Sequence, residues 1–377
     1  MNDTPEIAVL EQELLYALAL TRVEGIGPVT ARTLCENSSG FREIFESAPK
    51  ELKSRTGCTD TVVQRLKQFN KWKSIEDDIR LLTKYKVDTH HYFMDAYSDK
   101  LRQCSDGPLV YFKRGELNMN RHRVVGIVGT RTPTPYGLAV CQQLISDLAE
   151  FKPVIVSGLA YGVDICAHKA GLRHNLPGVA CLAHGLDRIY PSDHRDVADH
   201  LLQTGMLISE YLPGVSPDRE NFPMRNRLIA GLCDAVVVIE SGIKGGSMIT
   251  ARLAFNYNRD LFAFPGRSGD VHSAGCNFLI RNNQAMLIES AQDLAEALSW
   301  KDGTQLKLDI SIFPSSEKPE EQKIIDILKH EPLHFDDLAY QSGIPTGMLS
   351  FCLLDMELKK WVNSLPGKRF ELRSIKG

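Results

Sequence analysis

A chain of 377 residues with 43% hydrophobic content is long enough for one large core and one or two smaller ones. Its net charge of −3 excludes a protein coated in basic surface and leaves room only for a local basic groove. Nine cysteines without CxxC or Cys/His spacing argue against a disulfide or zinc framework and read as reduced, apolar thiols of a cytosolic protein.

The start, Asn2-Asp3-Thr4-Pro5-Glu6, has no basic residues leading into an apolar stretch, and no 18-residue apolar run follows it. The expectation is a cytoplasmic chain without a membrane span. Residues 1–85 read as a domain of short helices. Within it, Gly25-Ile26-Gly27-Pro28 between two helical stretches matches a helix-hairpin-helix turn. Such a turn can present N–H groups to a DNA phosphate, and it can equally be a packing turn.

Residues 86–120 read as an irregular, polar lead-in, and with it residues 86–300 form the main domain. From Arg123 the pattern changes to alternating strands and helices. Candidate strands are Val124–Val128, Val154–Val156, Val179–Ala183, Met206–Ser209, Ala235–Ile239, Leu261–Phe264 and Ala285–Ile288. Crossovers of helical periodicity between them imply an α/β fold, a mostly parallel sheet with helices on both faces. Ligands of such sheets sit beyond the carboxyl ends of the strands, where the strand order reverses. A polar linker, residues 301–319, leads to residues 320–377. Three helices (320–330, 334–341, 346–359) and a hairpin give these the winged-helix pattern, with Ile324, Ile327, Leu328, Leu338, Leu349, Leu353, Leu354 and Leu358 as its core. The third helix, where a DNA reader would carry basic and amide residues, has none before Lys359, which favours a protein-contact or regulatory module.

The residues with chemical potential cluster after the strands. Gly129-Thr130-Arg131 follows the first, and the helix beginning near Tyr136 is expected to offer free N–H groups to an anion. The single glycine does not make a dinucleotide fingerprint. Ser157 and Gly158 end the second strand, followed by Asp164 and His168, an acid–histidine spacing that lacks a nucleophile. His184 opens the third loop. Glu210 ends the fourth strand, placed either as a general base or as the holder of an arginine.

The run FPMRNRLIAGLCDAVVVIESGIKGGSMITA is the most informative. Pro223 near a helix start puts Arg225, Asn226 and Arg227 in the first turn, where cations oppose the helix dipole unless an anion compensates them. Lys244, Gly245, Gly246 and Ser247 then open the next helix, their N–H groups free to converge on an anion. Lysine precedes the glycine pair, so the spacing is not that of a Walker-type NTPase. Several cationic stations in series, with Lys169 and Arg267 as further candidates and Tyr136, Phe222 or Phe278 for stacking, favour a polymer backbone over a mononucleotide.

With these residues assembled, VGTRTPTPYG, SGLAYGVDICAH, GLDRIYP, SEYLPG, FPMRNRLIAGL, KGGSMITARLA and FAFPGR resemble, in this order, the bacterial DNA-processing protein A family, also called Smf, strongly over about residues 108–298. The resemblance implies an extended Rossmann domain, single-stranded DNA binding without sequence preference, a homodimer, loading of the RecA recombinase on incoming DNA during natural transformation, and no established catalytic activity, cofactor or metal. It assigns phosphate contact to Arg131, pocket wall to Ser157 and Gly158, groove to Arg225, Asn226 and Arg227, and backbone binding to Lys244, Gly245, Gly246 and Ser247. The loop reads GGS where the family commonly has SGS. His184 stands where glycine is frequent, and His194 where asparagine is. The runner-up is a hydrolase of the phosphoribohydrolase type with Glu210 or Asp164 as base, but its PGGxGTxxE pattern is absent.

Overall fold

The structure is a computed structural model that describes residues 5–300, 316, 318–329, 332–359, 361–365 and 368–372, with side chains from residue 12 onward. Most of the expected linker and the last residues of the chain lie outside this set. Contacts divide the chain into two compact units, Met1–Leu298 and Ser299–Gly377.

The first unit opens with six helices between Pro5 and Lys84. The hairpin turn is built as its residues dictate: Gly25 adopts φ +73°, and Pro28 is the first residue of the helix Pro28–Glu36. The Arg65 guanidinium lies over Gly25 so closely that a Cβ there would fall 1.5 Å from it. Leu20, Leu34, Phe41, Ile44, Leu52, Leu66 and Ile75 are fully buried and join one face of the following sheet in a single apolar cluster.

That sheet has nine strands: β1 (Asp88–His91), β2 (Val110–Arg114), β3 (Val124–Val128), β4 (Val154–Ser157), β5 (Gly178–Leu182), β6 (Met206–Ser209), β7 (Ala235–Val238), β8 (Asp260–Ala263) and β9 (Met286–Leu287). Their order is β1-β2-β6-β5-β4-β3-β7-β8-β9, with β3 to β9 all parallel to their neighbours within that group. Alternate residues divide between two cores. Val179, Cys181, Met206 and Ile208 face one, while Ala180, Leu182 and Leu207 face the other, which is the two-sided burial a parallel sheet requires. The strand order turns back at β3, which pairs with both β4 and β7.

The lead-in corrects the expectation of irregular structure. β1 and β2 pair antiparallel, and β2 continues the sheet antiparallel to β6. Val110–Lys113 are all buried, even Lys113, whose ammonium reaches out to Glu116 at 3.0 Å. Burial on both faces erases the alternation that would have marked a strand.

The second unit packs helices Pro319–Leu328, Phe335–Ser342 and Thr346–Leu358 against a small antiparallel sheet of β10 (Leu333–His334), β12 (Arg369–Leu372) and β11 (Val362–Leu365), in that order. Its core holds Ile324, Leu328, Leu338, Leu349 and Leu353 as expected, together with Ile325, Ile344, Cys352, Met356 and Val362, and Ile327 is packed at its edge. Leu354 and Leu358 are corrections: they are 57% and 76% exposed. Leu349, Cys352, Leu353 and Met356 occupy the inward stripe, and the helical period turns Leu354 and Leu358 away from it.

Candidate nucleic-acid interface

At the carboxyl edge of the sheet the loops after β3 and β4 interlock. The Val163 N–H donates to the Thr130 carbonyl at 3.1 Å, and Gly162 holds φ +82°. A Cβ at Gly162 would meet the Thr130 carbonyl at 2.3 Å, so only glycine permits this approach. Beyond the loops lies a cavity of about 750 Å³ lined by Gly129, Thr130, Arg131, Asp164, Tyr190, Arg219, Phe222, Arg225, Asn226, Gly245, Gly246 and Ser247, among others.

Arg225 is its floor. The helix that carries it begins at Asn221, not after Pro223, so Arg225 lies beyond the first turn. Its guanidinium donates to the Gly158 carbonyl at 2.7 Å and to the Cys181 carbonyl, and it is 4% exposed. Burial pulls its pKa below the usual arginine value, while Asp164 opposes that shift. Burial likewise pushes the Asp164 carboxyl up against the lowering pull of Arg225. Gly158 leaves room for the pair, since a Cβ there would stand 2.6 Å from both Arg225 Nη1 and Asp164 Oδ2. The anion that compensates Arg225 is therefore internal.

Above this floor, the exposed Arg131 sets its guanidinium 5.1 Å from the centroid of the Phe222 ring, a cation–π arrangement. Tyr190, 48% exposed, places its ring 6.2 Å from the same Phe222. Asn226 joins the two helices that frame the cavity: its Oδ1 accepts from Arg225 Nε at 3.3 Å and its Nδ2 reaches the Gly246 carbonyl at 3.4 Å. The helix Gly246–Asn256 starts with no side-chain cap, and around Gly246 a Cβ would meet nothing within 4 Å. Lys244 is exposed just before it.

Several expected residues are turned elsewhere. Ser157 is fully buried and donates to the Ile127 carbonyl at 2.7 Å, so with Gly158 it supports the floor and does not line the cavity. Ser247 directs its hydroxyl to Ser241 at 2.7 Å, leaving its main chain to face the cavity. Arg227 points to the opposite side of its helix, donating to Glu210 and to the Asp106 carbonyl beside a second cavity that includes Ile26, Gly27 and Pro28. Glu210 is the arginine holder, and burial pushes its carboxyl up to about 7. Asp164 accepts from the Gly158 N–H at 3.2 Å and makes no hydrogen bond with His168, whose ring nitrogens are both unpartnered. His184 is buried, its Nδ1 2.9 Å from the Gly185 carbonyl. Arg267 and Tyr136 line a neighbouring cavity, and Phe278 packs on the core.

The helix after β3 also departs from expectation. Its cap is taken: Glu240, just past the carboxyl end of β7, accepts from the N–H and from the hydroxyl of the N-cap Thr134, each at 2.8 Å, and that hydroxyl accepts from the Gly137 N–H. Arg219, Tyr190 and Glu240 were not singled out by sequence reasoning. Tyr190 sits in the conspicuous DRIYP loop, whereas Arg219 and Glu240 carry no local signal.

Known proteins resemble this chain in sequence and in fold. The profile of the family described as DNA recombination-mediator protein A matches residues 89–299, that of a DprA winged helix domain matches 314–368, and that of a SAM-like helix-hairpin-helix tandem matches 17–69. Protein Smf of Synechocystis is 30% identical over 96% of this chain and 99% of its own length. The X-ray structure of DNA processing protein A from Streptococcus pneumoniae superimposes with a TM-score of 0.63 at 30% identity, covering 75% of this chain and 97% of that one. DNA processing protein A from Helicobacter pylori, described for its single-stranded DNA binding mode, gives 0.51 at 32% identity over 57% of this chain and 96% of that one.

Proposed function

For this chain, which belongs to the DNA recombination-mediator protein A family, we propose that the cavity at the sheet edge holds single-stranded DNA. The observation that carries the reading is the juxtaposition of an uncapped glycine helix start with an arginine stacked on an aromatic face. Backbone N–H groups at Gly246 and Ser247, with Lys244 beside them, take one phosphate, while the Gly245 N–H is held by the Gly242 carbonyl at 3.0 Å. Arg131 and Arg219 take neighbouring phosphates, and Phe222 and Tyr190 offer ring faces to unstacked bases, which every base can use. Arg225, Asn226, Ser157, Gly158 and Ser247 hold this surface in shape. Arg227 acts from the other side of its helix, fixing Glu210 and the lead-in segment.

Loading of the RecA recombinase, action as a homodimer and a cytoplasmic site in natural transformation follow from the family in this proposal. No helix among the described residues is long and apolar enough to cross a membrane. The hydrolase alternative has little support in the placement of its acids, because Glu210 is engaged by Arg227 away from the main cavity and Asp164 by Gly158 and Arg225.

The test is anisotropy of a labelled single-stranded oligonucleotide across a salt series. The expected result is salt-sensitive binding that weakens in Arg131→Ala, with the slope of log K against log salt reduced by about 0.7 for each phosphate that is no longer neutralised. Wild type and Arg131→Ala equally inert would contradict the proposal.

A further inference from the structure

The crevice where the strand order of a doubly wound sheet reverses is the customary seat of a nucleotide phosphate, held by the start of the helix that follows the first parallel strand. Here that place lies between β3 and β7, at the start of the helix Pro135–Leu148. It is filled from within the protein. Glu240 is 2% exposed, and its backbone carbonyl is fixed by the Thr130 N–H at 2.7 Å. Its carboxylate takes the Thr134 N–H and hydroxyl, and the same hydroxyl accepts from the Gly137 N–H at 3.2 Å. A Cβ at Gly137 would stand 2.6 Å from Glu240 Oε2, so the first turn of the helix is shaped around the carboxylate. No lysine or arginine pairs with Glu240 among the described residues. Hydrogen bonds and the positive end of the helix dipole compensate it, the same means that would hold a phosphate.

We propose that Glu240 determines the specificity of the groove by occupying the phosphate seat with a built-in carboxylate, so that the terminal phosphate of a free nucleotide is refused and phosphodiesters engage only at the open Gly246 helix. This rests on the DNA-binding reading and deepens it, because it states which nucleic-acid chemistry the edge rejects. A second anion at Thr134 would meet the Glu240 carboxylate at hydrogen-bonding distance in a site shielded from solvent, where like charges repel strongly. A phosphodiester bound at Gly246 meets no such group, and a polymer can lie along the remaining stations without a terminal phosphate to seat.

The experiment uses the full chain as wild type, Glu240→Gln and Glu240→Ala, with deoxyadenosine monophosphate and inorganic phosphate as probes in calorimetry and a labelled single-stranded oligonucleotide in anisotropy. Thermal melting checks that each variant is folded. The expected result is only weak monophosphate binding by wild type, at the open Gly246 start, and a gain of at least about tenfold in monophosphate affinity for Glu240→Ala, the scale of a phosphate on an unoccupied helix start. Glu240→Gln, which removes the charge and keeps the bulk, gains less and keeps the oligonucleotide affinity of wild type. Folded variants that bind monophosphate no better than wild type would overturn the proposal. If Glu240→Ala does not fold, Glu240→Gln alone decides. Loss of oligonucleotide binding by every protein, wild type included, would instead sink the DNA-binding reading, with the monophosphate measurement still standing.

Discussion

Two helices start at the same edge of the sheet, Pro135–Leu148 and Gly246–Asn256, and they end their first turns in opposite ways. The first is capped by the Thr134 side chain, which is itself held by Glu240, and it is closed to any outside anion. The second has glycine at its cap and at its first position and no side-chain cap. A helix start gathers negative charge. One does so with a carboxylate from 106 residues away, and the other, whose Gly245 and Met248 N–H groups are held by the Gly242 and Gly245 carbonyls, leaves the Gly246 and Ser247 N–H groups to solvent or to a ligand. The lesson is that glycine content alone does not locate a phosphate site: what decides is whether the fold already supplies the anion.

The largest effect is expected at the floor of the cavity beside the open helix. Arg225→Ala leaves the Gly158 and Cys181 carbonyls and the Asp164 carboxyl without their partner. It is expected to cost about 3–5 kcal/mol in chemical denaturation, the scale for removing one member of a buried charge pair. On the closed side, Gly137→Ala drives a methyl into the Glu240 carboxylate and is expected to lower stability by about 1–3 kcal/mol in the same measurement, with oligonucleotide affinity kept when folded protein is assayed.

A third prediction concerns acid. Burial lowers the His168 pKa to about 3 from an ordinary 6.5. Below 6.5 the unfolded chain takes up a proton that the folded chain refuses. This group's contribution to stability is therefore present above that value and is lost as pH falls, by up to about 1.4 kcal/mol per unit. His168→Leu should flatten that part of the stability–pH curve, and an unchanged slope would show that His168 is protonated in the folded state. The open side gives the smallest effect on stability: Gly246→Ala has space for its methyl and should leave unfolding within about 1 kcal/mol of wild type while weakening oligonucleotide binding, since the backbone can no longer be approached as closely.

Much of this architecture is legible in the sequence, and the exceptions have physical reasons. Strands β3 to β9 fall within one residue of their expected bounds because they are short apolar runs rich in β-branched residues and separated by long helical crossovers. β1 and β2 escape because one is polar at a sheet edge and the other is buried on both faces. At the site, Arg131, Arg225, Asn226, Gly245 and Gly246 do come together around one cavity. Arg227 does not, since two residues along a helix turn about 200° and carry it to the far side. A helix start placed at Asn221 makes that divergence readable. The Glu240–Thr134 pairing is not readable at all, because nothing local to either residue announces a bond between two neighbouring strand ends so far apart in the chain.

The most direct test of the central claim is competition against a labelled single-stranded oligonucleotide bound to the full chain, followed by anisotropy at low and moderate salt. Unlabelled single strands are expected to displace it, salt to weaken it steeply, and deoxyadenosine monophosphate to leave it in place at concentrations where single strands have displaced it completely. Displacement by the monophosphate as effective as by the strand, or binding indifferent to salt, would contradict that claim.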